Sequence, residues 1–218
     1  MNLDFSQIAP SMPYILKGLQ VTLQIVAVSA LLGFALGTLL ALCKIARIKA
    51  LGFFADAYTS IFRGTPLVLQ LMIIYYGFPQ ITGYDISAFL AAVIAFGLNS
   101  GAYMSEIIRA GIQAVDKGQT EASMALGVPY RMMGDIIFPQ ALKNILPALM
   151  NEFISLTKES AVVTVIGAAD LMRRAYIVGG ETYSYFEPLL FVGLVYYLLV
   201  MILTLVGKAV ERRLSKGD

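Results

Sequence analysis

The sequence predicts an all-α, polytopic membrane protein with five transmembrane helices, its N-terminus outside and its C-terminus inside. Three observations carry this prediction. Of 218 residues, 58% are hydrophobic and only 14% charged, against about 25% charged in an ordinary soluble domain. A soluble fold of this size leaves much of its surface wet, so a chain this apolar needs lipid in place of water over much of its exterior. The apolar residues fall in long runs, and about 20 such residues cross a bilayer core as a helix. Basic residues gather beside the run ends assigned to the cell interior, the bias that sets orientation.

Val21 to Leu42 carries no formal charge and makes the first span, roughly 19–43. The chain start lacks a basic n-region and a small-residue cleavage site, so this block is expected to be retained. Gly33 and Gly37 form a Gly-xxx-Gly pair, which marks either a close helix contact or coincidence in an apolar helix. Lys44, Arg47 and Lys49 follow and mark the inner side. Leu51 to Phe62 reads as a short interfacial helix or as the lower part of the second span, roughly 61–78. There Arg63-Gly64-Thr65-Pro66 interrupts the run, since proline removes a backbone donor. The interruption is either a plain kink, with Arg63 reaching the interface, or a break that lets freed backbone face a cavity.

Pro79 to Asp85 has no basic residue and turns outside. The third span, roughly 86–109, holds Asn99, Ser100 and Tyr103 in its inner half. Glu106 and Arg109 lie three apart on one helix face and suit a surface ion pair. A polar loop over 116–139 then precedes the fourth span, roughly 141–168. This span is not clean. At 100° per residue, Asn151, Glu152, Ser155, Lys158 and Glu159 share roughly a third of the helix circumference. Glu152 lies ~18 Å beyond Gln140, near the middle of a ~30 Å hydrocarbon core. An ionised group facing lipid there costs at least ~2.5–3.5 kcal/mol. The stripe therefore faces protein or water, either neutralising itself through Lys158 or forming a functional site. Residues 170–187 form an outer segment, a cap or short interfacial helix, whose Arg173 and Arg174 are the main exception to the charge rule. The fifth span, roughly 188–210, ends in Lys208, Arg212, Arg213 and Lys216. The whole chain, 1–218, reads as one membrane domain.

Several chemistries are excluded. The net charge of +2 is too small to argue for nucleic acid. One cysteine, Cys43, and no histidine rule out an internal disulfide and a His/Cys zinc site. The commonest general base is absent, and no Gly-xxxx-Gly-Lys-Ser/Thr phosphate loop occurs. No catalytic and no metal-binding residue is expected. Transport is the class that remains, driven by ions or by a partner.

The loop 116–139 chooses between them. Glu121-Ala122-Ser123, Gly127 and Ile137-Phe138-Pro139 resemble the cytoplasmic EAA loop of ABC importer permeases. That pattern is Glu-Ala-Ala, three residues, Gly, nine residues, Ile, one residue, Leu-Pro. Ser replaces the third Ala, Phe replaces Leu, and the Gly-to-Pro distance is one residue shorter. Phe62-Arg63-Gly64-Thr65-Pro66-Leu67, Phe138-Pro139-Gln140-Ala141 and Leu146-Pro147-Ala148-Leu149-Met150-Asn151 are similar to the subfamily for polar amino acids. The resemblance implies five spans, a coupling helix and a location in the bacterial inner membrane. It implies a second permease copy, identical or a sister chain, two ATP-binding subunits that hold ATP and Mg, and an extracytoplasmic amino-acid-binding protein. The chain itself would need no cofactor.

The residues support the same picture. Glu121 to Leu126 is good helix sequence, and Gly127 suits a left-handed stop. Pro129 prevents one continuous rod. The contacts with the ATPase are expected at Glu121, Ala122, Ser123 and Gly127, where small residues allow close approach. The substrate pocket is expected at Thr65, Asn99, Tyr103, Asn151, Glu152, Ser155 and Lys158. Glu152 at mid-depth suggests a basic amino acid, although an acid there also suits an α-amine. The alternatives are an ion-coupled secondary carrier, with Glu152 or Glu159 cycling a proton, and a non-transporting membrane scaffold.

Overall fold

A computed structural model describes residues 4–46, 48–127 and 130–214, with the side chains at 120, 130–133 and 214 excluded. Arg47, Pro129 and Lys216 lie outside the described residues. The described residues are helical, without strands. The order is α1 (Met12–Ile45), α2 (Lys49–Gly64), α3 (Leu67–Thr82), α4 (Ala88–Gln113), α5 (Lys117–Ala125), α6 (Tyr130–Glu159), a 3₁₀ segment (Ser160–Ile166), α7 (Leu171–Thr182) and α8 (Phe186–Leu214).

The centre of the bundle is the α1–α4 pair, held together by glycine. A Cβ at Gly33 would stand 3.1 Å from the Ser100 Cβ, and one at Gly37 would stand 2.8 Å from the Met104 Cβ. The relation is reciprocal. Cβ atoms at Gly97 and Gly101 would meet Leu32 at 2.5 Å and Leu36 at 3.0 Å. Lipid tails are as apolar as leucine, so close backbone approach and dispersion drive such contacts. The Gly33–Gly37 pair is thus a true helix contact.

Around this pair, Ile25, Val26, Leu71, Ala92, Phe96, Leu156 and Val163 form one buried cluster that joins α1, α3, α4, α6 and the 3₁₀ segment. A second cluster, with Ile15, Leu171, Val178 and Val192, packs α7 against α1 and α8. The segment 170–187 therefore contains a helix docked on the bundle. Asp170, 0% exposed, starts that helix by accepting a bond from the Arg173 N–H at 2.8 Å, a side-chain N-cap.

Charge at the C-terminal end of α1 is also buried. The Lys44 side chain is 3% exposed and lies 3.2 Å from Asp56. Its ammonium donates to Thr59 Oγ1 at 2.8 Å and pairs closely with Glu106. Glu106 in turn holds Arg109 at 2.6 Å, the ion pair expected from spacing. A buried cation must be paired, and here the pairing ties α1, α2 and α4 together.

The segment expected as a second span over 61–78 is two helices, α2 and α3, bent by 100° across the break. Among the described residues, three helices are long and apolar enough to cross a membrane, or four if the bent pair is one span. The helix α6 falls outside that count: Gln140, Lys143, Asn144, Asn151 and Glu152 interrupt its apolar run. It begins at Tyr130 and ends at Glu159, where the sequence led us to expect 141–168. Pro139 and Pro147 sit inside it, so Pro139 does not end the loop as the sequence reading assumed. The chain then tightens into the 3₁₀ segment and leaves it at Gly167, φ +80°.

Gly37→Leu is expected to overpack the α1–α4 contact by about 1–3 kcal/mol and to lower the unfolding midpoint of detergent-purified protein. Gly52→Leu, at a position with nothing within 4 Å of an added Cβ, should leave the midpoint unchanged. Equal midpoints for the two variants would contradict the packing account.

Candidate functional site

The break between α2 and α3 leaves backbone carbonyls without helical partners, and side chains take their place. Thr65 Oγ1 donates to the Ile61 carbonyl at 2.8 Å. Gln70, 7% exposed, turns back across the break. Its Nε2 donates to the Phe62 carbonyl at 2.8 Å, and to Thr65 O at 3.1 Å and Oγ1 at 2.8 Å. From α4, Asn99 Nδ2 donates to the same Phe62 carbonyl at 3.0 Å and to Gln70 Oε1 at 3.1 Å. Nothing here resembles a slack kink. The break is a hydrogen-bonded joint, as buried backbone polar groups require. A cavity of about 300 Å³ opens against it, lined by Phe62, Thr65, Leu69, Gln70, Ile73 and Leu98.

The next residue of α4 reaches a different neighbour. Ser100, 1% exposed, donates its hydroxyl to Glu152 Oε1 at 2.7 Å. One turn further, Tyr103 is 38% exposed and carries the Arg63 guanidinium 5.2 Å from its ring centroid. A single strip of α4 therefore holds Asn99, Ser100 and Tyr103 against the break on one side and α6 on the other.

Of the expected pocket residues, the fold brings Thr65 and Asn99 into one network, sets Tyr103 on the same strip of α4, and joins Glu152 of α6 to that strip through Ser100. Asn151 departs from the expectation. It lines a separate cleft of about 180 Å³ with Pro147, Ile154, Thr204, Lys208 and Glu211, because α8 packs on that side of α6. Ser155 is half-buried and Lys158 exposed, and neither meets Glu152 through a hydrogen bond or ion pair. Sequence reading missed Gln70, Ser100 and Arg63. A glutamine in the otherwise apolar run Leu67–Ile74 was the available signal for the first.

The second candidate surface is α5. Asp116 caps it by accepting from the Gly118 N–H at 2.7 Å, and it ends where Gly127 takes φ +70°, the left-handed stop read from sequence. Glu121, Ala122 and Gly127 are exposed. Ser123 is not: at 5% exposure it turns inward and donates to Gln119 O at 2.7 Å. Met124 (57% exposed) and Leu126 (82%) project instead. An open polar cleft lined by Asp116, Gln119, Gln140, Lys143 and Asn144 separates α5 from α6.

Residues 33–216 match the family described as "Binding-protein-dependent transport system inner membrane component". The chain belongs to this family. It is 62% identical over 219 residues to the arginine transport system permease protein ArtQ of Bacillus subtilis, with 100% of both chains covered. It is 51% identical over 206 residues to the putative glutamine transport system permease protein GlnP of Rickettsia felis, covering 94% of each. Among solved structures, that of an amino acid ABC transporter with histidines aligns at TM-score 0.93 and 45% identity, covering 98% of this chain and 100% of that one. An inward-facing MetNI methionine ABC transporter shares the fold at TM-score 0.76 and 24% identity, covering 94% and 98%. As a transport-system inner membrane component, the chain is an integral membrane protein.

If Gln70 and Asn99 close the break together, Gln70→Leu strands a buried donor on Asn99 and should cost about 1–3 kcal/mol. The double variant Gln70→Leu/Asn99→Leu should cost less than the sum of the two single variants by thermal unfolding. Strict additivity would remove the network.

Proposed function

We propose that the chain is the permease subunit of an ATP-driven importer for basic amino acids. Two copies, or this chain and a sister, would enclose the path, each with five spans, the N-terminus outside and the C-terminus inside. Separate ATP-binding subunits, holding ATP and Mg, would grip α5, and an extracytoplasmic binding protein would deliver the amino acid. The family match and its amino-acid-transport relatives support this reading over an ion-coupled carrier.

The observation that carries the substrate class is Glu152. It stands well inside the long helix α6, fixed by Ser100 from α4 and without a cationic partner within 4 Å among the described residues. An acid held in place but unneutralised suits a mobile cation. We assign the cationic end of the substrate to Glu152, its polar neighbours to Asn99 and Thr65, and a face of the path to Tyr103. Ser155 and Lys158 lie on the same helix and remain in the proposed pocket, with Asn151 at its edge toward α8.

At the inner end, α5 offers Glu121, Ala122 and Gly127 for close approach, with Met124 and Leu126 as apolar anchors and Ser123 bracing the helix from behind. Rigid-body motion of the gripping subunits would pass through α5 into α6, on which Glu152 rides, a hinge-type switch.

Uptake by proteoliposomes holding the full complex tests the substrate class. Glu152→Gln should slow arginine uptake at least tenfold while glutamine uptake changes by less than about twofold, since tenfold corresponds to about 1.4 kcal/mol. Undiminished arginine uptake by the variant would remove Glu152 from the pocket. For the docking surface, Leu126→Asp should lower the ATP-binding subunit recovered with tagged permease at least fivefold. Full recovery would move the docking face elsewhere.

A further inference from the structure

Asp170 places an acid in the interface of α1, α7 and α8 without a base to meet it. It is 0% exposed, and among the described residues no cation pairs with it within 4 Å. Its backbone is pinned against α1. A Cβ at Gly18 would stand 2.5 Å from the Asp170 carbonyl carbon, and the next N–H, that of Leu171, donates to Thr22 Oγ1 at 3.4 Å. The carboxyl therefore stays inside for as long as α7 stays docked. One oxygen, Oδ1, accepts the Arg173 N–H and caps the helix. The other, Oδ2, is buried without a hydrogen-bond partner among the described residues, and so is the Tyr196 hydroxyl of α8.

The Tyr196 hydroxyl stands beside the Asp170 carboxyl, with Ser160 of the 3₁₀ segment and Thr22 of α1 around it. The charged groups nearby are turned elsewhere. On α7, Arg174 serves the Ala169 carbonyl and the Tyr14 ring, and Arg173 is exposed. On α1, Lys17 is exposed. At the end of α6, Glu159 has Lys158 for its neighbouring charge, and on α8 Glu187 accepts from Ser184. A desolvated carboxylate without a counter-ion takes up a proton instead. Burial pushes the Asp170 carboxyl up to about 6, against the opposing pull of the N–H groups at the start of α7.

We propose that Asp170 is a proton-binding site that latches α7 onto α1 and α8. With the proton on, the neutral acid still caps α7 through Oδ1, and its Oδ2–H donates to the Tyr196 oxygen. With the proton off, a charge without a counter-ion sits in the interface and the docking loosens. The docked form binds the proton more tightly than the opened form. The added hold is therefore full below the ordinary carboxylate range and is lost as pH rises through about 6. The helix α7 follows the end of α6 that lies away from α5, so the latch sets how firmly that end is held.

Amide hydrogen exchange of residues 171–182 in the detergent-purified full chain, corrected for the intrinsic pH dependence of exchange, tests this. Opening of α7 in wild type should be about tenfold rarer at pH ~5 than at pH ~7.5. Asp170→Asn keeps a capping oxygen, cannot ionise, and supplies a donor where the acid's O–H would be. It should lose the pH dependence and be as protected at pH ~7.5 as wild type is at pH ~5. Asp170→Ser also caps without ionising; it should be equally indifferent to pH, and it serves if the Asn variant does not assemble. Wild type without the pH dependence, or variants that retain it, overturns the proton site. Faster exchange in Asp170→Asn than in wild type at pH ~7.5 would mean that the ionised acid holds α7, and overturns it as well.

Discussion

The close contact between α1 and α4 fixes the position of everything that matters in this molecule. Four glycines, Gly33, Gly37, Gly97 and Gly101, let two long helices approach until a Cβ has no room. In lipid, such proximity replaces the hydrophobic drive that would hold a soluble bundle. The consequence lies on the other side of α4. With its back locked to α1, that helix has one rotational setting. Asn99 then faces the α2–α3 break, Ser100 faces α6, and Tyr103 lies between them. The Lys44–Asp56–Glu106 network repeats the constraint at the C-terminal end of α1, so α1, α2 and α4 form one frame.

Against this frame stands the unit made of α5 and α6. The sequence pattern suggested a loop ending at Pro139, followed by a span. In the fold, α6 runs unbroken from Tyr130 to Glu159, ~45 Å of helix by its residue count. From Tyr130, a few residues past the end of α5, one rod therefore runs on to carry the acid at Glu152. Its two prolines each remove a backbone bond without ending the helix, as happens where neighbouring helices support the backbone. The shorter Gly-to-Pro spacing falls partly within this rod, since Pro139 is helical.

Local signals were legible in the sequence, and partners across space were not. The glycine pair, the left-handed Gly127, the Glu106–Arg109 pair and the break at Pro66 all announce themselves through neighbours a few residues away. Asn151 was grouped with Glu152 because helical periodicity places them near each other, but periodicity does not say that α8 covers one of those directions. Lys44 read as a flag for the inner side and turned out to be a buried tie. Gln70 and Ser100 escaped the expected pocket because their roles depend on contacts 29 and 52 residues away. Ser123 looked like part of a presented small-residue face, yet it points inward, and Met124 and Leu126 take the exposed positions.

The central claim is that motion powered outside this chain is delivered through α5 to a fixed acid in α6. Arginine uptake into proteoliposomes carrying the permease, its ATP-binding subunits and the binding protein tests it most directly, with ATP and a proton gradient varied independently. The account predicts uptake that requires ATP on the cytoplasmic side and is indifferent to collapse of the gradient. Uptake that follows the gradient and persists without ATP would contradict it.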